Sequence, residues 1–208
     1  MISISMKSQH KSKVQEVQYK SKTWGAMYSK VRNVMKIIDC DNSDFSGVYK
    51  KYAAITMALI KKKISIATLE SCTAGTVVSL LTDTEGSSAV VHGGVVVYCN
   101  DSKIANGVSS KVIDTFGVYS AETAITMAAS ACDKFGSNIG IGITGTLSNV
   151  DPANDDSIPG EVYFAIQYKD KTDVFFINGV PQMKRSDGKL YVADKVADEL
   201  ITIINSFA

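Results

Sequence analysis

Two short segments contain side chains that together can activate a nucleophile. Ser71 stands in the segment Glu70–Gly75, and Lys103 follows the segment Tyr98-Cys99-Asn100. A serine hydroxyl becomes a good nucleophile only when a nearby base removes its proton. A lysine can be that base when burial or neighbouring cations lower the pKa of its amine. With Tyr98 as a proton relay, these residues supply nucleophile, relay and base.

The chain offers almost no histidine as an alternative base. Its two histidines are His10, in the N-terminal segment, and His92, at the start of an apolar run that predicts a strand. In a parallel sheet, the start of that strand lies at the opposite end from Ser71. A mechanism that activates this serine therefore has to use a lysine.

Each of these residues also has an ordinary structural explanation. Serine is a favoured N-cap, because its hydroxyl accepts a hydrogen bond from the first turn of a helix. Lys103 suits a solvated surface turn, and Tyr98 suits packing at the end of an apolar strand. Cys72 is a rival nucleophile, since a helix N-terminus stabilises a thiolate, although cysteines that only fill core space are common.

The apolar pattern from residue 45 onward predicts alternating strands and helices, with Ser43 or Asp44 capping the first helix. This order indicates an α/β fold, a three-layer α/β/α sandwich around a mixed, mostly parallel sheet. The short link between the last two strands predicts a hairpin. The predicted strands are 64–69, 93–99, 138–144, 161–168 and 173–178, and the main predicted helices are 45–63, 73–82, 109–116, 121–136 and 188–206.

Functional sites in such sheets form where parallel strands end and loops begin. Three polar segments meet this condition, namely Glu70–Gly75, Tyr98–Lys103 and Thr144–Thr146. We therefore expect Ser71 and Lys103 to lie close together if their two strands are neighbours.

Composition and charge exclude several classes of protein. The 208 residues are 45% hydrophobic and 21% charged, which is typical of a soluble globular domain, and no apolar run is long enough to cross a membrane. Residues 1–36 hold eight basic side chains and one acid, whereas the rest of the chain is mildly acidic. A nucleic-acid-binding protein would instead spread basic residues over its folded body. We expect residues 1–44 to form a basic, loosely ordered extension and residues 45–208 to form the functional domain.

Several other patterns have simpler explanations. The four cysteines are widely spaced, which indicates reduced thiols in a cytoplasmic protein without a metal site. The lysine-rich N-terminal segment has too little arginine for a typical transit peptide. Gly140-x-Gly142-x-x-Gly145 matches a dinucleotide fingerprint, but these glycines fall inside a predicted strand, where close packing against a helix explains them better. Turn formation explains residues 151–156 better than calcium binding does.

Four segments of the sequence resemble the CinA C-terminal domain family, the nicotinamide-nucleotide amidases. Glu70-Ser71-Cys72-Thr73-Ala74-Gly75 resembles the family's E-S-C-T-G-G segment, and Tyr98-Cys99-Asn100-x-x-Lys103 resembles its Y-S-N-x-x-K segment. Gly86-Ser87-Ser88-Ala89 and Gly117-Val118-Tyr119-Ser120-Ala121-Glu122 are similar to its G-S-S and G-A-V-S-x-E stretches. The similarity covers about residues 48–207 in a consistent order.

The resemblance implies an amidohydrolase that converts nicotinamide mononucleotide to nicotinate mononucleotide and ammonia without a metal or cofactor. It implies that Ser71 attacks the amide carbon, that Lys103 carries the proton and that Tyr98 orients Lys103. It also implies self-association of the chain. The substrate-binding residues that it implies are Thr73, Ala74 and Gly75 through their backbone amides, Asn100, Thr144, Gly145 and Arg185.

The sequence departs from the family pattern at three places. The family's S/T-G-I-A-G-P-G-G segment is replaced by Thr144-Gly145-Thr146-Leu147-Ser148-Asn149-Val150-Asp151-Pro152, so residues with side chains stand where a glycine-rich turn is usual. Ala74 replaces the first glycine of E-S-C-T-G-G. Arg185 and Lys189 match the family's R-x-x-x-R pattern only approximately, because a lysine stands in place of the second arginine. The substrate can therefore differ while the chemistry is kept. The alternative function is a non-catalytic module of the same fold that binds a pyridine nucleotide.

Overall fold

The computed structural model describes residues 14–18, 31–39 and 44–207. Within these residues, seven strands and six α-helices follow one another along the chain. Their bounds are β1 Val14–Gln18, β2 Val31–Asp39, α1 Val48–Lys62, β3 Ile66–Glu70, α2 Thr76–Thr82, β4 Val91–Val96, α3 Asn100–Ala105, α4 Ser110–Phe116, α5 Ala121–Phe135, β5 Ile139–Gly145, β6 Glu161–Tyr168, β7 Lys171–Asn178 and α6 Arg185–Asn205.

The strands form one sheet in the order β1-β2-β7-β6-β5-β3-β4. Strands β4, β3 and β5 run parallel, β6 runs antiparallel to both of its neighbours, and β2 lies parallel to β7. The mixed, mostly parallel sheet that the sequence predicts is therefore confirmed. The predicted hairpin is also present, since Tyr168 of β6 pairs with Lys171 of β7 across a tight turn.

Helices cover both faces of this sheet. On one face, Tyr52 of α1 and Leu200 of α6 share a core with Ile141 of β5. On the other face, α5 packs through small residues, and Ala124 lies in a second core with Ala165 of β6. This arrangement gives the predicted three layers, with the sheet in the middle.

Gly140 and Gly142 allow α5 to lie very close to β5. A Cβ atom added at Gly140 would lie 2.1 Å from the carbonyl oxygen of Ala128, and one added at Gly142 would lie 2.3 Å from that of Ala124. Both glycines lie inside β5, which leads into a loop and not into a helix. These glycines therefore serve packing, as the sequence indicated, and the dinucleotide fingerprint has no structural support.

Two strands lie within the segment that was expected to be loosely ordered. β2 pairs with β7 and β1 pairs with β2, so this segment extends the sheet at one edge. Ile38 is buried, and Lys36 Nζ of β2 lies 3.2 Å from the carboxylate of Glu199 on α6. The expectation of loose order does not hold for these two strands. The remaining parts of the segment, residues 1–13, 19–30 and 40–43, lie outside the described residues.

The first helix of the domain begins later than the sequence predicts. α1 has Gly47 as its N-cap, and the carboxylate of Asp44 instead accepts a hydrogen bond of 2.8 Å from the amide of Ser46. The predicted cap at Asp44 is therefore wrong, because its side chain closes a turn before the helix. Ser43, the other predicted cap, lies outside the described residues.

Candidate active site

Ser71 and Lys103 meet at the carboxyl ends of β3 and β4. Ser71 directly follows β3, and Lys103 lies on α3, the short helix after β4. Lys103 Nζ lies 3.2 Å from Ser71 Oγ. Both residues are almost fully buried, with 5% of Ser71 and 1% of Lys103 exposed. This is the contact that a lysine base needs in order to take a proton from a serine hydroxyl.

Backbone hydrogen bonds hold Ser71 between the neighbouring strands. The amide of Ser71 donates to the carbonyl oxygen of Ile143 at 3.0 Å, and the amide of Val97 donates to the carbonyl oxygen of Glu70 at 2.8 Å. Strand pairing therefore continues past the end of β3 on both sides. The position of the serine is fixed by the sheet.

The two competing explanations for this loop are not supported. α2 begins at Thr76 with Gly75 as its N-cap, so Ser71 does not cap a helix. Cys72 is 3% exposed, and burial raises the pKa of its thiol to about 12. Such a thiol stays protonated at neutral pH and is a poor nucleophile.

Burial also sets the protonation of Lys103. Desolvation lowers the pKa of its amine below the ordinary value of 10.5, because a buried ammonium ion loses the water that stabilises it. The charge of Asp151 acts in the opposite direction but is a smaller effect. No carboxylate forms an ion pair with Lys103 in the described part of the chain. The second partner of Nζ is the carbonyl oxygen of Tyr98 at 3.4 Å.

The carboxylate of Glu70 occupies the N-terminus of α2. Its Oε2 accepts hydrogen bonds from the amides of Gly75 and Val77 at 3.0 and 3.1 Å, and its Oε1 accepts from the amide of Val78 at 2.8 Å. Oε1 also accepts from the hydroxyl of Thr68 at 3.1 Å. Glu70 is completely buried, so these bonds satisfy a charge that would otherwise be costly. The N-terminus of α2 is therefore not free to bind a ligand anion.

This arrangement changes which loop amides can contact a substrate. The amide of Gly75 is bonded to Glu70, and the amide of Ala74 donates to the carbonyl oxygen of Ser71 at 3.0 Å. Among the described residues, the amides of Cys72 and Thr73 have no acceptor. The resemblance suggested the amides of Thr73, Ala74 and Gly75, and of these only the Thr73 amide has no acceptor. The Cys72 amide, which the resemblance did not suggest, also has none.

Ala74 keeps a backbone shape that normally favours glycine. Its φ of 49° is left-handed, and the φ of the following Gly75 is 87°. A left-handed conformation costs a residue with a Cβ about 1–2 kcal/mol. The loop therefore keeps its turn although the first glycine of the family segment is lost.

An open cleft of ≈ 480 Å³ leads from the surface to Ser71. Its wall combines polar loop residues with one arginine. The lining residues include Ser71, Tyr98, Asn100, Asp101, Tyr119, Gly145, Thr146, Asp151, Asn154 and Arg185.

The hydroxyl of Tyr98 lies away from the dyad. It accepts a hydrogen bond of 2.6 Å from Nη2 of Arg185, at the start of α6. In the described residues no hydrogen bond joins this hydroxyl to Ser71 or Lys103, so the structure does not bring it between them as a relay. The contact of Tyr98 with Lys103 comes from its main-chain oxygen.

The structure brings the remaining expected binding residues together only in part. Gly145, Asn100 and Arg185 line the cleft. Thr144 is fully buried, and its hydroxyl donates to the carbonyl oxygen of Val118 at 2.8 Å. Thr144 is thus engaged in the fold, and its neighbour Thr146 lines the cleft in its place.

Sequence reasoning missed a polar network in the cleft wall. The hydroxyl of Tyr119 donates to Oδ2 of Asp151, and Nδ2 of Asn154 donates to the same oxygen at 2.6 Å. Nδ2 of Asn100 in turn donates to Oδ1 of Asn154 at 2.8 Å. The one available signal was the cluster of Asp and Asn in residues 151–156, which the sequence reading explained as a turn.

His92 lies at the opposite end of the sheet from the cleft. It sits in β4 beside Val91, which pairs with Ile66 at the start of β3. Its Nδ1 lies 3.1 Å from the carbonyl oxygen of Phe135. The structure therefore agrees with the argument that this histidine cannot serve Ser71.

Neither a metal cluster nor a membrane span is found in the described residues. No group of three or more His, Cys, Asp or Glu side chains is arranged there as metal ligands would be. No described helix is both long enough and apolar enough to cross a membrane.

Together the fold and the site define a class of protein, an α/β/α sandwich with a buried serine–lysine pair at the carboxyl edge of its parallel strands. Residues 49–198 match the CinA C-terminal domain family. Because this match covers most of the chain, the chain belongs to the CinA C-terminal domain family, and the resemblance seen in the sequence is confirmed.

Known relatives and solved structures agree with this assignment. A CinA-like protein of Leptospira borgpetersenii is 40% identical over 114 residues, which are 54% of this chain and 27% of the relative. A competence-damage inducible protein of Alkaliphilus oremlandii is 33% identical over 150 residues, 71% of this chain and 36% of the relative. The chain thus spans only about a third or less of the length of these curated relatives.

Among solved structures, the competence/damage inducible protein CihA of Agrobacterium tumefaciens superposes with a TM-score of 0.67 at 26% identity. That comparison covers 77% of this chain and 97% of the other. A CinA superfamily protein of Klebsiella pneumoniae gives a TM-score of 0.70 at 18% identity, covering 77% of this chain and 99% of the other, which is evidence for the fold alone.

Proposed function

We propose that the protein is an amidohydrolase that deamidates nicotinamide mononucleotide through a serine–lysine dyad. The observation that carries the proposal is the 3.2 Å contact between Lys103 Nζ and Ser71 Oγ in a buried site at the base of a cleft. The resemblance to the nicotinamide-nucleotide amidases supplies the substrate. The products are nicotinate mononucleotide and ammonia.

In the first step the neutral amine of Lys103 takes the proton of Ser71 as Oγ attacks the carboxamide carbon. The resulting oxyanion accepts hydrogen bonds from the amides of Cys72 and Thr73, the two loop amides without an acceptor. Lys103 then passes the proton to the amide nitrogen, the C–N bond breaks and ammonia leaves. This sequence forms an ester between Ser71 and the pyridine carboxylate.

In the second step water hydrolyses the ester. Lys103, neutral again after ammonia departs, takes a proton from the attacking water. Collapse of the second tetrahedral intermediate breaks the ester bond, and Lys103 returns the proton to Oγ of Ser71. The enzyme regains its starting state, and the reaction uses one water for each ammonia released.

The charges of the cleft fit a substrate with both signs of charge. Arg185 is the one basic side chain in its lining among the described residues, and a guanidinium there suits a phosphate group. Asp101 and Asp151 supply carboxylates in the same lining. Nicotinamide mononucleotide has an anionic phosphate and a cationic pyridinium ring, so it matches this combination.

The direct test is ammonia release from nicotinamide mononucleotide, nicotinamide riboside, nicotinamide and acetamide. We expect the mononucleotide to be the best of these four substrates. Ser71→Ala and Lys103→Met should each reduce its turnover by about a thousandfold or more. Ser79→Ala and Lys61→Ala are the matched controls, since both replace exposed residues away from the cleft.

Two results would contradict the proposal. Full turnover by either dyad variant would rule out the mechanism. Tight binding of the mononucleotide with no ammonia release by the unaltered protein would favour the alternative, a non-catalytic nucleotide-binding module.

A further inference from the structure

Asp151 is fixed in the wall of the cleft by three donors. Oδ1 accepts a hydrogen bond of 3.0 Å from the amide of Ala153, and Oδ2 accepts from Tyr119 and Asn154. These hydrogen bonds, that of Tyr119 foremost, lower the pKa of the Asp151 carboxyl. A carboxylate held in this way stays charged and keeps its position.

The charge of Asp151 has no basic partner of its own. In the described part of the chain it forms no ion pair with a lysine or arginine. Its donors Tyr119 and Asn154 are neutral, so they orient the carboxylate without cancelling its charge. The cleft wall therefore presents a fixed negative charge that a cationic ligand can use.

Asp151 and Ser71 line the same cleft. Asn154 joins Asp151 to Asn100, the first residue of the helix that carries Lys103. Asp151 also raises the pKa of the Lys103 amine, against the larger effect of burial, so its field extends to the dyad. A ring whose carboxamide contacts Ser71 therefore lies in the cleft whose wall includes Asp151.

We infer that Asp151 is a specificity-determining residue that selects a positively charged pyridinium ring over a neutral ring in the proposed substrate. The inference rests on the proposed function, because it concerns the ring whose carboxamide is hydrolysed. Asp151 stands in the segment where the family's glycine-rich turn is absent. The charge is thus supplied by a loop that departs from the family pattern.

The test compares two nucleotides that differ in ring charge. Oxidised nicotinamide mononucleotide has a cationic ring, and its reduced dihydro form has the same phosphate and carboxamide on a neutral ring. Calorimetric dissociation constants are measured with the Ser71→Ala protein, which prevents turnover. We expect the oxidised form to bind about tenfold more tightly.

Asp151→Asn in the Ser71→Ala background should remove this discrimination, because it should weaken the binding of the oxidised form only. Asp155→Asn is the matched control, since it removes an exposed carboxylate of the same loop that does not line the cleft, and the discrimination should remain. If the Ser71→Ala protein, in which Asp151 is intact, binds both forms equally, this inference is overturned and the proposed function is not. Binding of neither form would overturn the proposed substrate, and the inference with it.

Discussion

A lysine amine is a poor base in water because its ordinary pKa leaves it protonated near neutral pH. In this protein Lys103 is 1% exposed, and its amine has a hydroxyl and a carbonyl oxygen as partners, with no carboxylate bonded to it. Burial therefore removes the water that would keep the cation stable. In the proposed mechanism, this lack of water and of a counter-ion is what makes Lys103 a usable base.

The pH dependence of the reaction follows from this burial. The reaction needs the neutral amine, so kcat/KM should rise with pH along a limb whose midpoint is the pKa of Lys103 in the free enzyme. Desolvation lowers that pKa, so the midpoint should lie below 10.5. Asp151→Asn should move the limb to still lower pH, because the carboxylate of Asp151 raises the pKa of Lys103.

A pH profile of kcat/KM for ammonia release measures both effects. Asp155→Asn is the control, as Asp155 is an exposed carboxylate of the same loop, and its limb should coincide with that of the unaltered protein. A midpoint at or above 10.5, or an upward shift in Asp151→Asn, would contradict the assignment of Lys103 as the base.

Among the elements of the fold, the sheet positions Ser71 and the short helix α3 supplies Lys103. Pairing from Ile143 and Val97 holds the end of β3 on both sides. α3 then begins within a few residues of β4 and turns Lys103 back toward Ser71. α2 cannot stabilise an anion with its N-terminus, because Glu70 fills it.

Glu70 should therefore affect both stability and the rate of the chemical step. Glu70→Gln places an amide group against the backbone N–H groups of Gly75, Val77 and Val78, where at least one donor loses its acceptor. We expect a loss of about 1–3 kcal/mol in the free energy of unfolding. Because the loop that carries Ser71 loses its anchor, kcat should fall while KM changes little.

Urea unfolding and steady-state kinetics of Glu70→Gln measure these two quantities. Glu85→Gln is the control, since Glu85 is an exposed carboxylate soon after α2 and should change stability by no more than about 0.5 kcal/mol. Unchanged kcat in a destabilised Glu70→Gln protein would show that Glu70 has no role in positioning Ser71.

At the scale of the whole molecule, the order β5-β3-β4 decides where the site forms. The three parallel strands are adjacent, so their carboxyl ends supply the serine, the lysine helix and the loop with Asp151 to one cleft. Their amino ends lie at the opposite edge, together with His92. The topology thus gathers the polar segments and separates the histidine from them.

The Ser71–Lys103 pair could be predicted because strand ends are visible in the sequence as polar segments after apolar runs. The strands β1 and β2 could not, because β2 has lysine, arginine and asparagine among its apolar residues and becomes recognisable only through its pairing with β7. The hydrogen-bond network of Asp151 could not be predicted from the sequence either. It depends on how residues 146–160 fold back toward Tyr119 and α3, which local turn preferences do not specify.

Capture of the acyl-enzyme is the most direct test of the proposed serine–lysine mechanism. The protein is mixed with nicotinamide mononucleotide, quenched in acid within milliseconds and examined by mass spectrometry. We expect an ester of nicotinate mononucleotide on Ser71, absent from the Ser71→Ala protein. A thioester on Cys72, or ammonia release by the Ser71→Ala protein, would contradict it.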